Sequence, residues 1–99
     1  MLEIPLTPLP NQRFSVVLAD QNCVISLRQL GESLYASMQV DENVVFDNLI
    51  CNDRVKMPTF STTLFKGHLV LVDLLGHEHP NYKYLGDRMV LIYLSEDEG

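Results

Sequence analysis

The residues best suited to chemistry are histidines, and metal binding is the first chemistry to consider. Residues 77–79 read His-Glu-His, and His68 and Asp73 precede them in the sequence. These residue types bind zinc, but their spacing matches neither a helical HExxH motif nor two Cys/His ligand pairs. We therefore interpret this segment as a solvent-exposed loop and predict no metal site.

Thiol chemistry is the second candidate. The cysteines are Cys23 and Cys51, which lie far apart and form no CxxC motif. A reactive thiol needs an electropositive, accessible pocket, whereas Leu49 and Ile50 surround Cys51 with apolar side chains. We interpret both cysteines as small buried hydrophobic residues in a reducing compartment.

Other catalytic signatures are missing from the sequence. There is no GxGxxG, P-loop or GxSxG motif, and the acidic residues are scattered over predicted loops instead of forming a pair. We therefore predict that the chain is not an enzyme and that it binds no cofactor.

Length and composition restrict the fold and the class of partner. Ninety-nine residues predict a single domain, 1–99, and 46% of them are apolar, which is a large share for a small chain. The net charge of −6 disfavours direct nucleic-acid binding. No apolar run is long enough to span a membrane, and the N-terminus lacks a basic region typical of an export signal.

The elements that position any functional residue are predicted to be β-strands. Residues 12–51 alternate between apolar and polar types, as Phe14, Val16 and Leu18 show. Three successive hairpins place these apolar residues on one face when the loops are residues 20–21, 30–33 and 41–43. The pattern therefore predicts a four-stranded antiparallel meander.

Each loop also predicts a register. The expected pairs are Leu18 with Cys23, Val16 with Ile25, Phe14 with Leu27, Leu27 with Ala36, Ile25 with Met38, Cys23 with Val40, Met38 with Phe46, and Leu34 with Ile50. Asn48, opposite Ala36, is the one polar residue that this register places on the apolar face.

The remaining segments predict an all-β, mainly antiparallel fold: a small barrel or sandwich built on the meander, with at most one short helical turn near residues 81–85. Residues 1–11 contain three prolines and predict an extended arm. Residues 52–66 predict a loop with at most a short strand. Residues 69–72 and 89–94 are continuously apolar, which is typical of strands covered on both faces. Residues 95–99 predict a frayed acidic tail.

Several features suggest contacts with partners. Two apolar strands in so short a chain leave surplus apolar surface, so we expect part of these strands, or of the arm, to lie between chains. The predicted register also sets Arg13 opposite Arg28, with Tyr35 across from Arg28, so that the guanidinium groups either extend into water or meet carboxylates of a partner. Tyr82 belongs to a tyrosine-rich C-terminal region that suits an interface or a core equally well.

Short motifs in a fixed order extend over residues 3–94. They are Ile4-Pro5-Leu6, Pro10-Asn11-Gln12 followed by Phe14, Gly67-His68-Leu69 leading to Asp73, and Tyr82-Lys83-Tyr84-Leu85-Gly86-Asp87-Arg88 leading into Leu91-Ile92-Tyr93. Their order and spacing resemble the baseplate plug family of contractile-tailed bacteriophages and prophages.

The resemblance implies a structural component of the virion tail baseplate, assembled in the host bacterial cytoplasm. Such a component packs near the hub and tube end and seals or locks the assembly before contraction. The implied partners are other baseplate, hub, tail-tube or sheath proteins, with several copies in a symmetric ring. The alternative from the residues alone is a free-standing β-barrel module that binds a peptide or ligand.

The candidate interface residues combine the motif positions with the residues of the predicted outer surface. They are Asn11, Gln12, Arg13, Phe14, Arg28, Tyr35, Tyr82, Leu85, Gly86 and Arg88.

Overall fold

A computed structural model describes residues 2–58, 64–76 and 78–95, and within them the predicted all-β antiparallel fold is confirmed. The strands are β1 (Leu2–Ile4), β2 (Asn11–Leu18), β3 (Gln21–Leu30), β4 (Ser33–Val40), β5 (Asn43–Ile50), β6 (Lys56–Met57), β7 (His68–Asp73) and β8 (Met89–Leu94). The one helical element of these residues is a 3-10 turn, Tyr82–Tyr84, where the Asn81 side chain accepts a hydrogen bond from the Lys83 N–H.

The strands form two antiparallel sheets of four. The meander sheet has the order β2-β3-β4-β5, and the second, which we call the terminal sheet, has the order β1-β8-β7-β6. Buried side chains of both sheets belong to a single apolar cluster, including Ile25 and Met38 from the meander and Leu71 and Leu91 from the terminal sheet. The described strands do not close into a barrel, so the arrangement is that of a small sandwich.

The Pro-rich segment connects the two sheets. Leu2 pairs with Tyr93 and Ile4 with Leu91, so the first residues form an edge strand of the terminal sheet. The chain then crosses to the meander sheet, where β2 begins at Asn11. The segment is therefore used within its own chain.

The β3–β4 register is as predicted, with Leu27 opposite Ala36, although the loop is shorter than predicted. The predicted β2–β3 register is wrong by two residues, because Val16 lies opposite Cys23 and the loop is formed by Ala19 and Asp20. Both loop residues have positive φ, 51° and 60°, as a two-residue type I′ turn requires. An even shift leaves every side chain on its predicted face.

The β4–β5 hairpin differs from its prediction at both ends. The pairing of Met38 with Phe46 is confirmed, but the predicted pairing of Leu34 with Ile50 is wrong, because Ile50 lies opposite Tyr35. The register shifts twice along β5, and Asn48 has a φ of 51° at one irregularity. Such bulges insert an extra residue, which is how the chain removes Asn48 from the apolar face.

Ser37 supports the irregularity near the end of β5. Its hydroxyl donates to the Asp47 carboxylate at 2.8 Å and accepts from the Asn48 N–H at 2.9 Å. One side chain therefore bonds the backbone and the carboxylate of two successive β5 residues, where the regular ladder is interrupted.

The β4–β5 turn consists of Asp41 and Glu42, with φ of 48° and 75°, and it offers a stabilising substitution. We expect Glu42→Gly to raise the free energy of unfolding by about 0.5–1 kcal/mol, since glycine adopts this conformation without steric cost. Urea denaturation measures the change. Glu32→Gly is the matched control. Glu32 occupies the second position of the β3–β4 turn, at the other end of β4, and its φ is not positive. An equal gain in both variants would contradict the explanation.

The apolar strands of the terminal sheet are covered mainly by their own chain. Leu69, Leu71 and Leu91 are almost fully buried, and Val72, Ile92 and Leu94 are half-buried. The expectation that these strands carry the apolar surplus is therefore wrong for most of their length, because the second sheet and the loops cover them. The most exposed apolar side chains lie elsewhere: Leu74, Leu75, Val17 and Val44 are 55–77% exposed.

Three earlier predictions reach beyond the described residues. The acidic tail includes residues 96–99, the His-Glu-His segment includes His77, and the 52–66 loop includes residues 59–63. Within the described ranges, no helix is long and apolar enough to cross a membrane.

Candidate protein-interaction face

The outer face of the meander sheet presents mixed polar, basic and apolar side chains. The inward residues of β2 to β5 pack on the core, so their neighbours in sequence point away from it. The rows across the strands are Asn11, Arg28, Tyr35 and Ile50; Arg13, Ser26 and Ser37; and Ser15, Val24, Gln39 and Val44. These residues define what we call the outer face.

A shallow groove of about 390 Å³ crosses the outer face. Its lining includes Arg13, Arg28, Ser26, Val44 and Asp47. It combines apolar surface with hydrogen-bonding groups and with an excess of positive charge, which is the composition of a protein-docking surface more than of an enclosed ligand site.

The two arginines of the outer face are near each other, but they do not lie opposite each other as predicted. Arg13 lies opposite Ser26, and Arg28 lies opposite Asn11 on one side and, as predicted, Tyr35 on the other. The two-residue register shift causes the difference and leaves both arginines on one face. Neither guanidinium group has a hydrogen-bond or ion-pair partner in the part of the chain that the structure describes.

Gln12 and Gly86 hold the Pro-rich segment in place. The Gln12 side-chain amide donates to the Thr7 carbonyl at 2.7 Å. Gly86 has a φ of 83°, and the Leu6 carbonyl lies where a Cβ of residue 86 would be. These two candidates therefore contact the chain's own arm, and neither lies on the outer face.

Two further candidates face inward. Phe14 is half-buried against the core, and Leu85 is fully buried and forms a β-bridge with Met89. The structure thus brings together Asn11, Arg13, Arg28 and Tyr35 on the outer face, and it places the remaining candidates around the arm, the core and the terminal sheet.

Arg88 is paired within the chain. Its Nε and one terminal nitrogen donate to the two carboxylate oxygens of Asp73, at 2.7 and 2.8 Å. Asp73, only 1% exposed, also accepts from the backbone N–H groups of Leu75 and Glu78. The guanidinium hydrogen bonds hold the pKa of the Asp73 carboxyl well below its usual range, against the opposing effect of burial, and the backbone donors add to this. The arrangement fixes the loop that follows β7.

A second charged pair ties another loop to the same end of β7. Asp53 accepts from the Asp73 N–H at 2.7 Å, and Arg54 donates to the carbonyls of Asp73 and Gly76 at 3.1 and 3.0 Å. Sequence reasoning missed this network. The available signal was a carboxylate, Asp73, at the end of a strand that is otherwise apolar, since a buried charge requires partners.

The tyrosines divide between core and surface. Tyr93 is buried and its hydroxyl donates to the Lys66 carbonyl, while Tyr82 is half-buried against the core. Tyr84 is 41% exposed, and the Arg88 guanidinium lies 5.3 Å from its ring centre. Tyr84 and, on the outer face, the half-buried Tyr35 therefore present ring surface to the outside.

The residues first considered for chemistry are held apart or buried. Cys23 and Cys51 are free and buried, and desolvation raises the pKa of the Cys51 thiol to about 12. His79 lies 3.2 Å from the Ser33 hydroxyl. Across residues 2–58, 64–76 and 78–95 no three His, Cys, Asp or Glu side chains are grouped as metal ligands would be.

The structure is that of a small two-sheet β protein whose outer face is open and partly basic. The family model described as cyanophage baseplate Pam3 plug gp18 matches residues 1–96, and the chain therefore belongs to this baseplate plug family. It is thus a structural protein of the phage tail baseplate that associates with other baseplate components. A comparison with curated proteins gave no match.

Proposed function

We propose that the chain seals or locks the tube end of the baseplate before contraction, packing near the hub with its outer face against a neighbour. This proposal is supported by a difference between two pairs of arginines: one pair is bonded within the chain and the other, among the described residues, is not. Arg54 and Arg88 hold loops through backbone carbonyls and carboxylates, whereas Arg13 and Arg28 share a groove and have no partner among the described residues.

The chemistry of this face suits a lock that forms and releases as a unit. A carboxylate of a neighbour can accept two hydrogen bonds from a guanidinium, which fixes orientation as well as position. Val24 and Val44, which line the same groove as the arginines, lose water on contact and strengthen the charged bonds by lowering the local dielectric. Several copies arranged in a ring would repeat this contact, and we propose that the copies assemble in the host cytoplasm.

Loss of the chain tests the locking role directly. Tails assembled without it are expected to contract prematurely or to leak at the tube end, and electron microscopy of purified tails measures the extended fraction. Extended tails of normal stability that lack the chain would contradict a lock or a seal.

The contribution of the two arginines is tested by Arg13→Ala combined with Arg28→Ala. Both side chains are exposed, so we expect the melting temperature to change by no more than about 2 °C. Incorporation into purified tails is expected to fall about 10-fold or more, since truncating an interfacial charge leaves its partner unpaired. Quantitative mass spectrometry of tails measures the copy number.

Lys83→Ala is the matched control, because Lys83 is an exposed cation on the 3-10 turn and lies outside the outer face. Its incorporation should equal that of the unmodified chain. Normal incorporation of the double variant would rule out the arginines as docking residues.

A further inference from the structure

The four edge strands of the two sheets are unequally protected. β1 has three residues, β6 has two, and β5 is interrupted by register shifts, all of which discourage pairing with another chain. β2 differs from them. It has eight residues, contains no proline, and pairs with β3 in an unbroken register from Asn11 to Leu18.

The free side of β2 presents regularly spaced backbone groups. The two-residue hairpin closes at Leu18 and Gln21, and the Gln29 N–H donates to the Pro10 carbonyl at the other end. In an antiparallel ladder the backbone groups of every second residue bond to the neighbouring strand. Here these are the even-numbered residues of β2, so the N–H and C=O groups of the odd-numbered residues point away from β3. The outward-directed residues are Asn11, Arg13, Ser15 and Val17. Their backbone groups have no other hydrogen-bond partner in the described part of the chain.

We propose that β2 accepts an extended strand from a partner protein, and that this strand carries carboxylates opposite Arg13 and opposite Asn11, the β2 residue that pairs with Arg28. Main-chain hydrogen bonds to the open edge would supply affinity, and side chains on the outer face would supply specificity. The inference rests on the proposed baseplate role for the source of the strand and names the type of contact that the chain makes there.

Charge decides between such a strand and a second copy of this chain. β2 contains no acidic residue, so pairing β2 with its copy would bring a second Arg13 into the ribbon and no carboxylate. The other end of the sheet carries Asp20, Asp41 and Glu42 at its turns, and Val17 there is 62% exposed. The best-fitting strand is therefore acidic near Arg13 and apolar near Val17.

Ser15→Pro tests the open edge, because it removes one outward N–H and leaves the β2–β3 ladder intact. Ser15→Ala is the matched control, which keeps the N–H. Each variant is produced as the full chain and compared with the unmodified chain in purified tails. We expect Ser15→Pro to lower incorporation about 10-fold or more and Ser15→Ala to leave it unchanged.

The outcomes separate the two proposals. If the unmodified chain is absent from tails, the baseplate role fails, and this inference fails with it. If the unmodified chain is present and Ser15→Pro is incorporated equally well, only the edge contact is overturned.

A second measurement covers the case in which Ser15→Pro does not fold. A photo-crosslinking amino acid at position 17, in the otherwise unmodified chain, is activated in assembled tails. Crosslinks to an extended, acid-containing segment of another baseplate protein support the inference. Crosslinks to β2 of a second copy, or none at all, overturn it.

Discussion

Replacing Asp73 with asparagine is expected to lower the melting temperature of the chain by about 10–20 °C. The substitution preserves shape but removes the charge that balances Arg88 at 2.7 Å. The amide can also accept only at its oxygen, whereas the carboxylate accepts four hydrogen bonds through both oxygens. The half-buried Arg88 guanidinium then remains without its counter-charge, and the loop after β7 loses its anchor. Circular dichroism during heating measures the change.

Two comparisons show whether the buried pair is responsible. Asp87→Asn removes an exposed neighbouring carboxylate and should shift the melting temperature by no more than about 2 °C. Combining Asp73→Asn with Arg88→Gln should cost less than the sum of the two single changes, because the residues form one network. Full additivity would show that the two side chains do not act together.

The same pair predicts how stability depends on pH. Because the pKa of Asp73 is lowered in the folded chain, its contribution is complete above the pKa of the unfolded chain, near pH 4. The contribution is lost as pH falls from there towards the lower folded pKa. The melting temperature of the unmodified chain should therefore fall on acidification below about pH 4, and that of Asp73→Asn should fall less steeply.

Gly86→Ala is expected to lower the free energy of unfolding by about 3 kcal/mol. Part of this is the cost of a side chain at a φ of 83°, and part is the collision of the new Cβ with the Leu6 carbonyl. The colliding oxygen belongs to the backbone of Leu6, in the segment that crosses between the sheets, so this segment must move to make room. We expect faster proteolysis between β1 and β2 as well as a lower urea midpoint.

Gly31→Ala separates the two contributions. Gly31 has a φ of 61°, but a Cβ there would meet nothing within 4 Å. Its cost should be about 1 kcal/mol, without any change in proteolysis of the arm. Equal effects at both positions would show that the contact with Leu6 does not hold the arm.

Much of the meander could be predicted from the sequence because its apolar residues have a period of two. The lengths of the loops between the strands were harder to predict from the sequence. Ala19 and Glu42 adopt positive φ although their side chains disfavour it, so nothing local distinguishes these turns from longer ones. An even error in register preserves the pattern of faces, which is why the face of Arg13 and Arg28 was correct while their pairing was wrong.

The roles of several candidates depend on contacts between distant segments. Arg88 resembles a free surface cation in the sequence, and only the fold brings it to Asp73. Gln12 and Gly86 lie far apart in the sequence, yet both hold the arm. The alternation of apolar and polar residues along a strand shows which face of the sheet a residue occupies. It does not show which distant segment of the chain packs on that face.

The pairing of β1 with β8 determines when the terminal sheet can finish folding. Each meander strand pairs with its neighbour in sequence, whereas Leu2 pairs with Tyr93. β1 is synthesised before the meander and therefore has no partner until β8 has been synthesised. A chain that stops before β8 can form the hairpins that carry the outer face, but it cannot place β1, so both sheets are complete only when β8 is present.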